Sequence, residues 1–358
     1  TLLSCEGLHA RGHRVTLVSG PTRGPEGSIV ARARAGGYEF IEIAELIRPI
    51  NPWMDVRATR VLRDLFERLR PDVVHTHSSK ARVPHIVHTV HGMAFNRTQP
   101  WPLRTLAAWA ERRASRLTDR IVTVADAMIE QSVAARIAPR GRLCTIYSGM
   151  ETERFDPAAH DRAATRHTWG VADDDVVVIT VARLFRNKGY ERLLPILARA
   201  AAAAPRLRFV WVGDGAQRGQ YEAELTRLGL RDRATLTGLV PPEDVPRLLA
   251  GADILAHASL WEGLPRAVVQ GLLMEVPAVA FALDGAPEVV LDNQTGRLIP
   301  FGDDEAFAAA LIELAGDAAR RRTLGVAGRR LCLERFDWRT MVAALERLYH
   351  DLATGPRA

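Results

Sequence analysis

The feature that most constrains the fold is a repeated alternation of short β-rich runs with longer helical runs along the whole chain. This alternation is typical of α/β folds with parallel sheets, because each helix returns the chain to the start of the next strand. The first half predicts strands at His13–Ser19, Tyr38–Ile43, Asp72–His77, His85–Val90, Arg120–Val124 and Leu143–Tyr147. The second half predicts strands at Asp175–Val181, Leu207–Val212, Ala234–Thr237, Asp253–His257, Ala278–Phe281 and near Leu298.

The chain has 358 residues, which is the length of about two typical domains. A predicted strand ends near Ser148-Gly149-Met150, and a polar segment with Phe155-Asp156-Pro157 follows it. We therefore expect one Rossmann-like domain over residues 1–148 and a second from residue 149. Helices predominate from Asp303 to Leu352.

The first half departs from a complete doubly wound domain in two ways. The chain opens on a predicted helix, whereas such a domain normally opens with a strand and a glycine-rich turn. About seven residues separate the strand that ends at His77 from the one that starts at His85, and a parallel crossover usually needs a dozen or more. Either these strands are not parallel neighbours or a crossover helix is missing. We expect an N-terminally truncated first domain with an internal deletion.

Charge is distributed unevenly between the two halves. Residues 1–148 hold 22 Lys and Arg against 13 Asp and Glu, whereas the remaining residues hold 26 against 29, so the net charges are +9 and −3. A basic first half suits an anionic membrane surface, although solvated helix faces in an arginine-rich chain give the same balance. Stacking aromatics do not alternate with the arginines, so nucleic acid is not expected.

Localisation and redox state follow from what the sequence lacks. It contains no run of about 18 apolar residues and does not open with a signal peptide, so we expect a cytoplasmic protein that binds peripherally at most. Its three cysteines, Cys5, Cys144 and Cys332, are widely separated, which favours a reducing compartment and no metal site.

Lysine is rare, and one of the two lysines lies where a phosphate group would bind. Only Lys80 and Lys188 stand among 48 basic residues. Arg183 and Lys188 follow a predicted strand and precede a helix, which is where a diphosphate binds in an open α/β sheet. The two cations would neutralise charge on a leaving nucleoside diphosphate. A basic surface loop would have the same sequence.

Three further turns follow strands in the second half. Gly213 and Gly215 would let a ligand approach the backbone, although the dinucleotide spacing is absent. Glu262 would accept hydrogen bonds from sugar hydroxyls or stabilise a helix N-terminus, and Gln270, two turns along the predicted helix Leu264–Met274, would lie on the same side and bond a ribose. Backbone N–H groups at Gly285 would hold a sugar or a phosphate.

Five histidines are clustered in the first half: His75, His77, His85, His88 and His91. A metal site is conceivable, but alternation along a strand sends neighbouring side chains to opposite faces. We therefore expect core or pocket histidines and no metal.

The order and spacing of these segments resemble the family 4 retaining glycosyltransferases with the GT-B fold. The second half carries Ala182-Arg183, Lys188-Gly189, Val212-Gly213-Asp214-Gly215, Ser259-Leu260-Trp261-Glu262-Gly263-Leu264-Pro265, Gly285-Ala286-Pro287-Glu288 and Thr295-Gly296. The first half carries matching segments at Asp72–Lys80, His88–Gly92, Asp119–Val124, Ile146–Met150 and Arg154–Pro157.

The resemblance implies two Rossmann-like domains facing across a cleft, with residues 149–337 binding a nucleotide sugar and residues 338–358 forming a helix that crosses back to the first domain. It implies that Arg183 and Lys188 hold the donor diphosphate, Glu262 binds the donor sugar, and Glu288 with the turn at Gly285 lines the sugar and phosphate pocket. His91 would reach the sugar from the first domain.

The implied reaction is transfer of a hexose, with retention, from a UDP- or GDP-linked sugar to a lipid-linked or growing bacterial glycan, without a cofactor or metal. Gln270 stands where the family commonly has glutamate, so altered binding of the ribose is expected. A sugar-nucleotide epimerase of the same fold and a non-catalytic donor-binding remnant remain as alternatives.

Overall fold

The computed structural model describes residues 1–21, 30–47, 51–77, 85–95 and 99–355. The chain forms two compact units. The first comprises the described residues of Thr1–Phe95, Pro100–Met150 and Asp337–Ala358, and the second comprises Glu151–Phe336 with Gln99.

The first unit contains two separate parallel sheets in the described residues. One pairs β1 (Thr16–Ser19) with β2 (Glu39–Glu42), and the other has the order β3-β4-β5-β6, formed by Val74–Thr76, Ile86–Val90, Arg120–Thr123 and Leu143–Thr145. Its helices before residue 150 are α1 (Leu2–Ala10), α2 (Val30–Ala35), α3 (Pro52–Leu69), α4 (Trp101–Ser115) and α5 (Asp126–Ala134).

Strands β3 and β4 are parallel neighbours, with Val74 opposite Ile86. The alternative that they are not parallel neighbours is therefore wrong. Because β3 is only three residues long, it spans about 10 Å, and a connection of nine residues has the reach to return the chain. The segment 80–84, including Lys80, lies outside the described residues, and the internal deletion stays a prediction.

The second unit is built on one parallel sheet of six strands in the described chain. The strands are β7 (Val176–Val181), β8 (Leu207–Val212), β9 (Ala234–Gly238), β10 (Ile254–His257), β11 (Ala278–Ala282) and β12 (Gly296–Pro300). Their order is β12-β11-β10-β7-β8-β9, which is the Rossmann order with its reversal point between β7 and β10. Val177, Val178 and Ile179 are fully buried, as expected for a parallel strand covered on both faces.

Helices cover this sheet, and one further helix follows them in the chain. They are α6 (Arg162–Thr168), α7 (Tyr190–Ala203), α8 (Arg218–Arg227), α9 (Val245–Ala250), α10 (Arg266–Leu273), α11 (Ala286–Val289), α12 (Asp304–Gly316), α13 (Ala318–Arg335) and α14 (Trp338–Thr354). Asp303, Asp317 and Asp337 cap the last three, because each carboxylate accepts a bond from a backbone N–H of the first turn. No helix of the described residues has the length and apolar character needed to cross a bilayer.

Helix α14 belongs to the first unit. It packs against α1, and its Leu345 joins a buried cluster with Val87 and Val122 of the central strands. Gly149 lies directly against the beginning of this helix, because a Cβ there would lie 2.5 Å from the Cα of Trp338.

A buried ion pair joins α6 to the beginning of β10 in the second unit. Arg166 Nη1 lies 3.1 Å from Asp253 Oδ2, and the two side chains are only 4% and 11% exposed. The same carboxylate oxygen accepts a bond of 2.8 Å from Val177 N, and Arg166 Nη2 donates to the carbonyl of Asp175. The pair therefore joins a helix and two strands at the edge of the sheet opposite the carboxyl ends.

We expect Asp253→Ala to lower the free energy of unfolding by about 3–5 kcal/mol, because it leaves the buried Arg166 without its counter-charge. Glu305→Ala removes the partner of Arg199 in an exposed pair and should change it by less than about 0.5 kcal/mol. Urea unfolding of both variants measures the difference. Equal effects would contradict the structural role of the buried pair.

Candidate functional site

The candidate site lies at the carboxyl edge of the second sheet, beside its reversal point. The segment after β7 carries Arg183 and Lys188, and the segment after β10 carries Glu262. These two strands are direct neighbours, as Ile254 pairs with Val178. Ligands of open α/β sheets bind at this point, because the loops of the two strands diverge there and leave a crevice.

Lys188 and Glu262 form an ion pair between Nζ and Oε1, with side chains that are 16% and 23% exposed. Ser259 Oγ lies 3.0 Å from the same carboxylate oxygen and 3.3 Å from the carbonyl of Asn187. Leu260 N donates to that carbonyl as well, at 3.0 Å. The two loops are thus joined by both side-chain and backbone contacts.

His257 lies beneath this pair at the end of β10. Its Nε2 is 3.9 Å from Glu262 Oε1, and the residue is buried. Burial lowers the pKa of His257 to about 4, although the nearby Glu262 opposes the shift. The imidazole is therefore neutral near pH 7, and its contact with Glu262 is not an ion pair there.

The loop after β11 is joined to the loop after β10. Asp284 has a left-handed backbone with φ of 50°, and its Oδ2 accepts a bond of 2.8 Å from Glu262 N. Gly285 N donates to Gly263 O at 3.1 Å. These bonds fix the backbone of Glu262 from the side of β11.

The amides of the turn at Gly285 are engaged within the protein. Besides Gly285 N, Ala286 N donates to Leu283 O and Glu288 N donates to Gly285 O, while Pro287 has no N–H. In this conformation each of these amides has a partner within the protein, and the expectation that they hold a sugar or a phosphate stays a prediction. Glu288 lies half-buried in the short helix α11.

The glycines of the site let backbones approach one another. Gly189 has φ of 75°, and a Cβ there would lie 1.9 Å from Ala258 O. A Cβ on Gly213 or Gly215 would lie 2.2 Å from Ala182 O or 2.4 Å from Leu184 O. These positions exclude a side chain because the segments after β7, β8 and β10 touch backbone to backbone.

Arg183 is exposed at the beginning of the segment after β7, and its guanidinium lies 5.1 Å from the centre of the Phe185 ring. The amides of Gly213 and Gly215 donate to Gly238 O and to Asp214 Oδ1, respectively. With these amides engaged, side chains rather than backbone N–H groups supply the positive charge at this edge.

Gln270 is half-buried in α10, which begins at Arg266. Glu262 lies four residues before this helix, so helical spacing does not relate its side chain to that of Gln270. The helix begins two residues later than predicted, and the placement of Gln270 on the side of Glu262 stays a prediction.

His91 belongs to the first unit and follows β4 as an exposed residue. Its Nε2 lies 2.9 Å from Nδ1 of His77. Within the part of the chain that is described, no group of three or more His, Cys, Asp or Glu side chains is arranged to hold a metal ion.

Sequence reasoning missed the roles of His257, Ser259 and Asp284. Each stands within or next to a segment that drew attention, but their contacts depend on how three loops approach one another. The Asp284-Gly285 pair was a usable signal, because aspartate before glycine is common where the backbone turns left-handed.

Two family models match the chain and together cover most of it. The model described as "Glycosyl transferases group 1" matches residues 161–331. The model described as "Glycosyltransferase Family 4" matches residues 2–154. The boundary between the two matches lies close to the boundary between the two structural units.

Individual relatives extend over much of the chain. A GDP-mannose-dependent alpha-(1-6)-phosphatidylinositol monomannoside mannosyltransferase of Mycolicibacterium smegmatis is 30% identical over 276 residues, covering 75% of this chain and 71% of its own length. A UDP-Gal:alpha-D-GlcNAc-diphosphoundecaprenol alpha-1,3-galactosyltransferase of Escherichia coli is 28% identical over 294 residues, covering 77% and 74%. The HepE protein of Anabaena, solved with UDP and glucose, superposes with a TM-score of 0.80 at 19% identity over 98% of this chain and 94% of its own.

The buried His257 predicts a loss of stability in mild acid. Its pKa in the folded chain is below its unfolded value of about 6.5, so its contribution is complete above that pH and is lost as the pH falls towards 4. We expect His257→Gln to reduce the slope of the free energy of unfolding against pH by up to about 1.4 kcal/mol per pH unit in this window. Urea unfolding between these pH values measures it.

The exposed His167→Gln variant on α6 is the matched control and should keep the wild-type slope. A His257→Gln variant with an unchanged slope would show that this imidazole is not held neutral by the fold.

Proposed function

The chain belongs to the glycosyltransferases of group 1 and family 4, and on this basis we propose that it transfers a hexose from a nucleoside diphosphate sugar to a lipid-linked or growing bacterial glycan. The observation that carries the proposal is the pairing of Lys188 with Glu262 at the reversal point of the second sheet. This arrangement places a cation for phosphate beside a carboxylate for sugar hydroxyls.

The expected GT-B fold class is confirmed by two parallel α/β units and by superposition on glycosyltransferases of known structure. The alternative of a sugar-nucleotide epimerase is not favoured, because the named relatives are transferases that act on an acceptor.

We propose that Arg183 and Lys188 bind the diphosphate of the donor. A diphosphate carries more negative charge than one carboxylate, so it competes with Glu262 for the ammonium group of Lys188. Release from Lys188 leaves the Glu262 carboxylate to accept hydrogen bonds from the sugar. In the unliganded chain, the ion pair thus fixes the positions of both groups and gives each charge a partner, and the donor replaces this contact when it binds.

The remaining donor residues shape the pocket. Gly213, Gly215 and Gly285 keep the loops close together, since backbone contacts fill the space that a side chain would take at Gly213 and Gly215 and the amide of Gly285 bonds the neighbouring loop. Gln270 bonds the ribose through its amide, and Glu288 lines the sugar and phosphate pocket. These roles follow from the family resemblance together with the placement of each residue beside the same sheet edge.

We propose that the reaction retains the anomeric configuration and that His91 contacts the donor sugar. With donor bound, the Glu262 carboxylate accepts hydrogen bonds from the sugar hydroxyls and is not proposed as a base, so the leaving phosphate would accept the proton of the acceptor hydroxyl. No cofactor is proposed.

The relatives suggest two chemical classes for the acceptor and for the base of the donor. One relative is named for GDP-mannose and a phosphatidylinositol mannoside, and the other for UDP-galactose and a diphosphoundecaprenol sugar. Both acceptors are anchored in a membrane by their lipid. We therefore propose a cytoplasmic chain that binds peripherally to the inner face of the plasma membrane.

Helix α4 offers a surface for this peripheral binding. Leu103, Leu106 and Trp109 are 58%, 60% and 57% exposed, and Leu117 just beyond the helix is 60% exposed. Glu111 lies on the opposite face, and burial raises its pKa. Large apolar side chains facing out beside several arginines are typical of a helix that lies in an anionic membrane interface.

We expect a variant carrying Leu106→Ser and Trp109→Ser to bind phosphatidylglycerol-containing vesicles at least about tenfold more weakly, because it loses two apolar side chains that enter the interface. The matched control carries Val326→Ser and Leu333→Ser on α13, which also changes two exposed apolar residues. Vesicle co-sedimentation measures both. Equal loss in the two variants, or no binding by the wild-type chain, would count against α4.

The donor site is tested by calorimetric titration with UDP-glucose and GDP-mannose. We expect one of them to bind, and the Arg183→Ala, Lys188→Ala double variant to weaken binding at least about a hundredfold, because each lost charge-assisted contact costs about tenfold or more. Arg199→Ala, an exposed cation on α7, should bind as the wild type does. A folded chain that binds neither sugar nucleotide would show that the donor pocket is not competent and would contradict the proposal, whereas a chain that binds a donor but transfers no sugar would favour the non-catalytic donor-binding remnant.

A further inference from the structure

Three histidine rings lie in a row in the first unit, two of them stacked and the third joined by a hydrogen bond. His75 and His77 are two residues apart at the end of β3, so their side chains share a face, and the ring centres are 4.8 Å apart at an interplanar angle of 24°. His91, which follows the neighbouring β4, lies beside His77 with the ring centres 5.1 Å apart and the planes at 20°, and because His77 Nδ1 and His91 Nε2 are only 2.9 Å apart, these two rings meet edge to edge. His77 is therefore the middle ring.

The stack is fixed at its inner end. His75 Nδ1 bonds the hydroxyl of Tyr349 on α14, and His75 Nε2 lies 2.6 Å from Thr89 Oγ1 on β4. With a partner at each nitrogen, the His75 ring has little freedom to rotate. Since α14 supplies one of these partners, the C-terminal helix helps to fix the orientation of the rings.

The outer end of the stack is joined by a hydrogen bond. His77 Nδ1 lies 2.9 Å from His91 Nε2. A bond between two imidazole nitrogens requires one nitrogen that carries a proton and one that does not. The tautomer of one ring therefore sets the tautomer of the other.

The inner rings are neutral. Burial, reinforced by the adjacent histidines, lowers the pKa of His75 to about 3 and that of His77 to about 2. Burial also lowers the pKa of the neighbouring His88, whose Nδ1 lies 2.9 Å from Thr76 Oγ1. Above about pH 4, His77 thus has one N–H group and one lone pair to offer, and the stack can hold a fixed tautomer.

We propose that His77 is a positioning residue for the sugar transfer, fixing the ring plane and the tautomer of His91 through the bond between Nδ1 and Nε2, while His77 is itself held by stacking on the His75 ring that Tyr349 anchors. This inference rests on the proposed role of His91 at the donor sugar. A histidine that contacts a reacting sugar must present the correct nitrogen at the correct angle, and small displacements from that geometry cost rate steeply. His77 acts through His91 and does not touch the substrate.

The coupling itself is tested without any substrate. In the chain labelled with 15N at histidine, the ring nitrogens of His91 report its tautomer, and the His91→Ala variant assigns them. We expect one predominant His91 tautomer in the wild type and in His77→Asn, whose side-chain amide can replace Nδ1 as a hydrogen-bond partner. We expect a tautomer mixture in His77→Phe, which keeps a ring in the stack but cannot form the bond. An unchanged His91 signal in His77→Phe overturns the inference.

The consequence for the reaction is measured by donor hydrolysis, using whichever of UDP-glucose and GDP-mannose the chain binds. We expect His77→Phe to lower kcat about tenfold with an unchanged Kd for the donor, and His77→Asn to restore most of the loss. His350 is an exposed histidine on α14, so His350→Phe should match the wild type and controls for the exchange of an imidazole for a phenyl ring. Thermal unfolding of each variant separates a loss of orientation from a loss of fold.

The outcomes distinguish this inference from the function on which it rests. If His91→Ala lowers kcat strongly while His77→Phe and His77→Asn both keep the wild-type value, the inference fails and the role of His91 stands. If His91→Ala leaves kcat unchanged, the proposed role of His91 fails, and the positioning role of His77 fails with it.

Discussion

The proposed donor site depends on backbone-to-backbone contact between the loops at the carboxyl edge of the second sheet. A Cβ atom added to Gly189 or to Gly213 would lie 1.9 Å or 2.2 Å, respectively, from a carbonyl oxygen of a neighbouring loop. Any side chain at these positions would force the loops apart. Because the loops are this close, Lys188 on one and Glu262 on another reach each other, and the charged groups of the site are held in place without a ligand.

This packing also determines which groups are available to a ligand. The amides of Gly213, Gly215 and Gly285 donate hydrogen bonds within the protein in the unliganded chain. We therefore propose that the side chains of Arg183 and Lys188 recognise a diphosphate, and the lysine is the more selective signal because the chain has only two. The site is therefore pre-organised by its backbone and charged by its side chains.

The fold was largely predictable from sequence, whereas the contacts of the site were not. The periodic apolar runs located the strands of the second sheet, because a buried parallel strand such as Val176–Val181 needs a continuous apolar run. The same patterns placed the beginning of α10 two residues too early, because Leu264 and Pro265 extend the apolar pattern of the helix towards the N-terminus. The partners of His257 and Asp284 depend on contacts between loops distant in sequence, and a spacing rule carries no information about these.

The exchange of Lys188 from Glu262 to a phosphate is the central proposal, and a structure of the chain with bound UDP or GDP tests it most directly. We expect the β-phosphate to contact Lys188 and Arg183 and Lys188 Nζ to lie beyond hydrogen-bond distance of Glu262. A nucleotide bound away from the loops after β7 and β10, or one that leaves the ion pair intact, would contradict it.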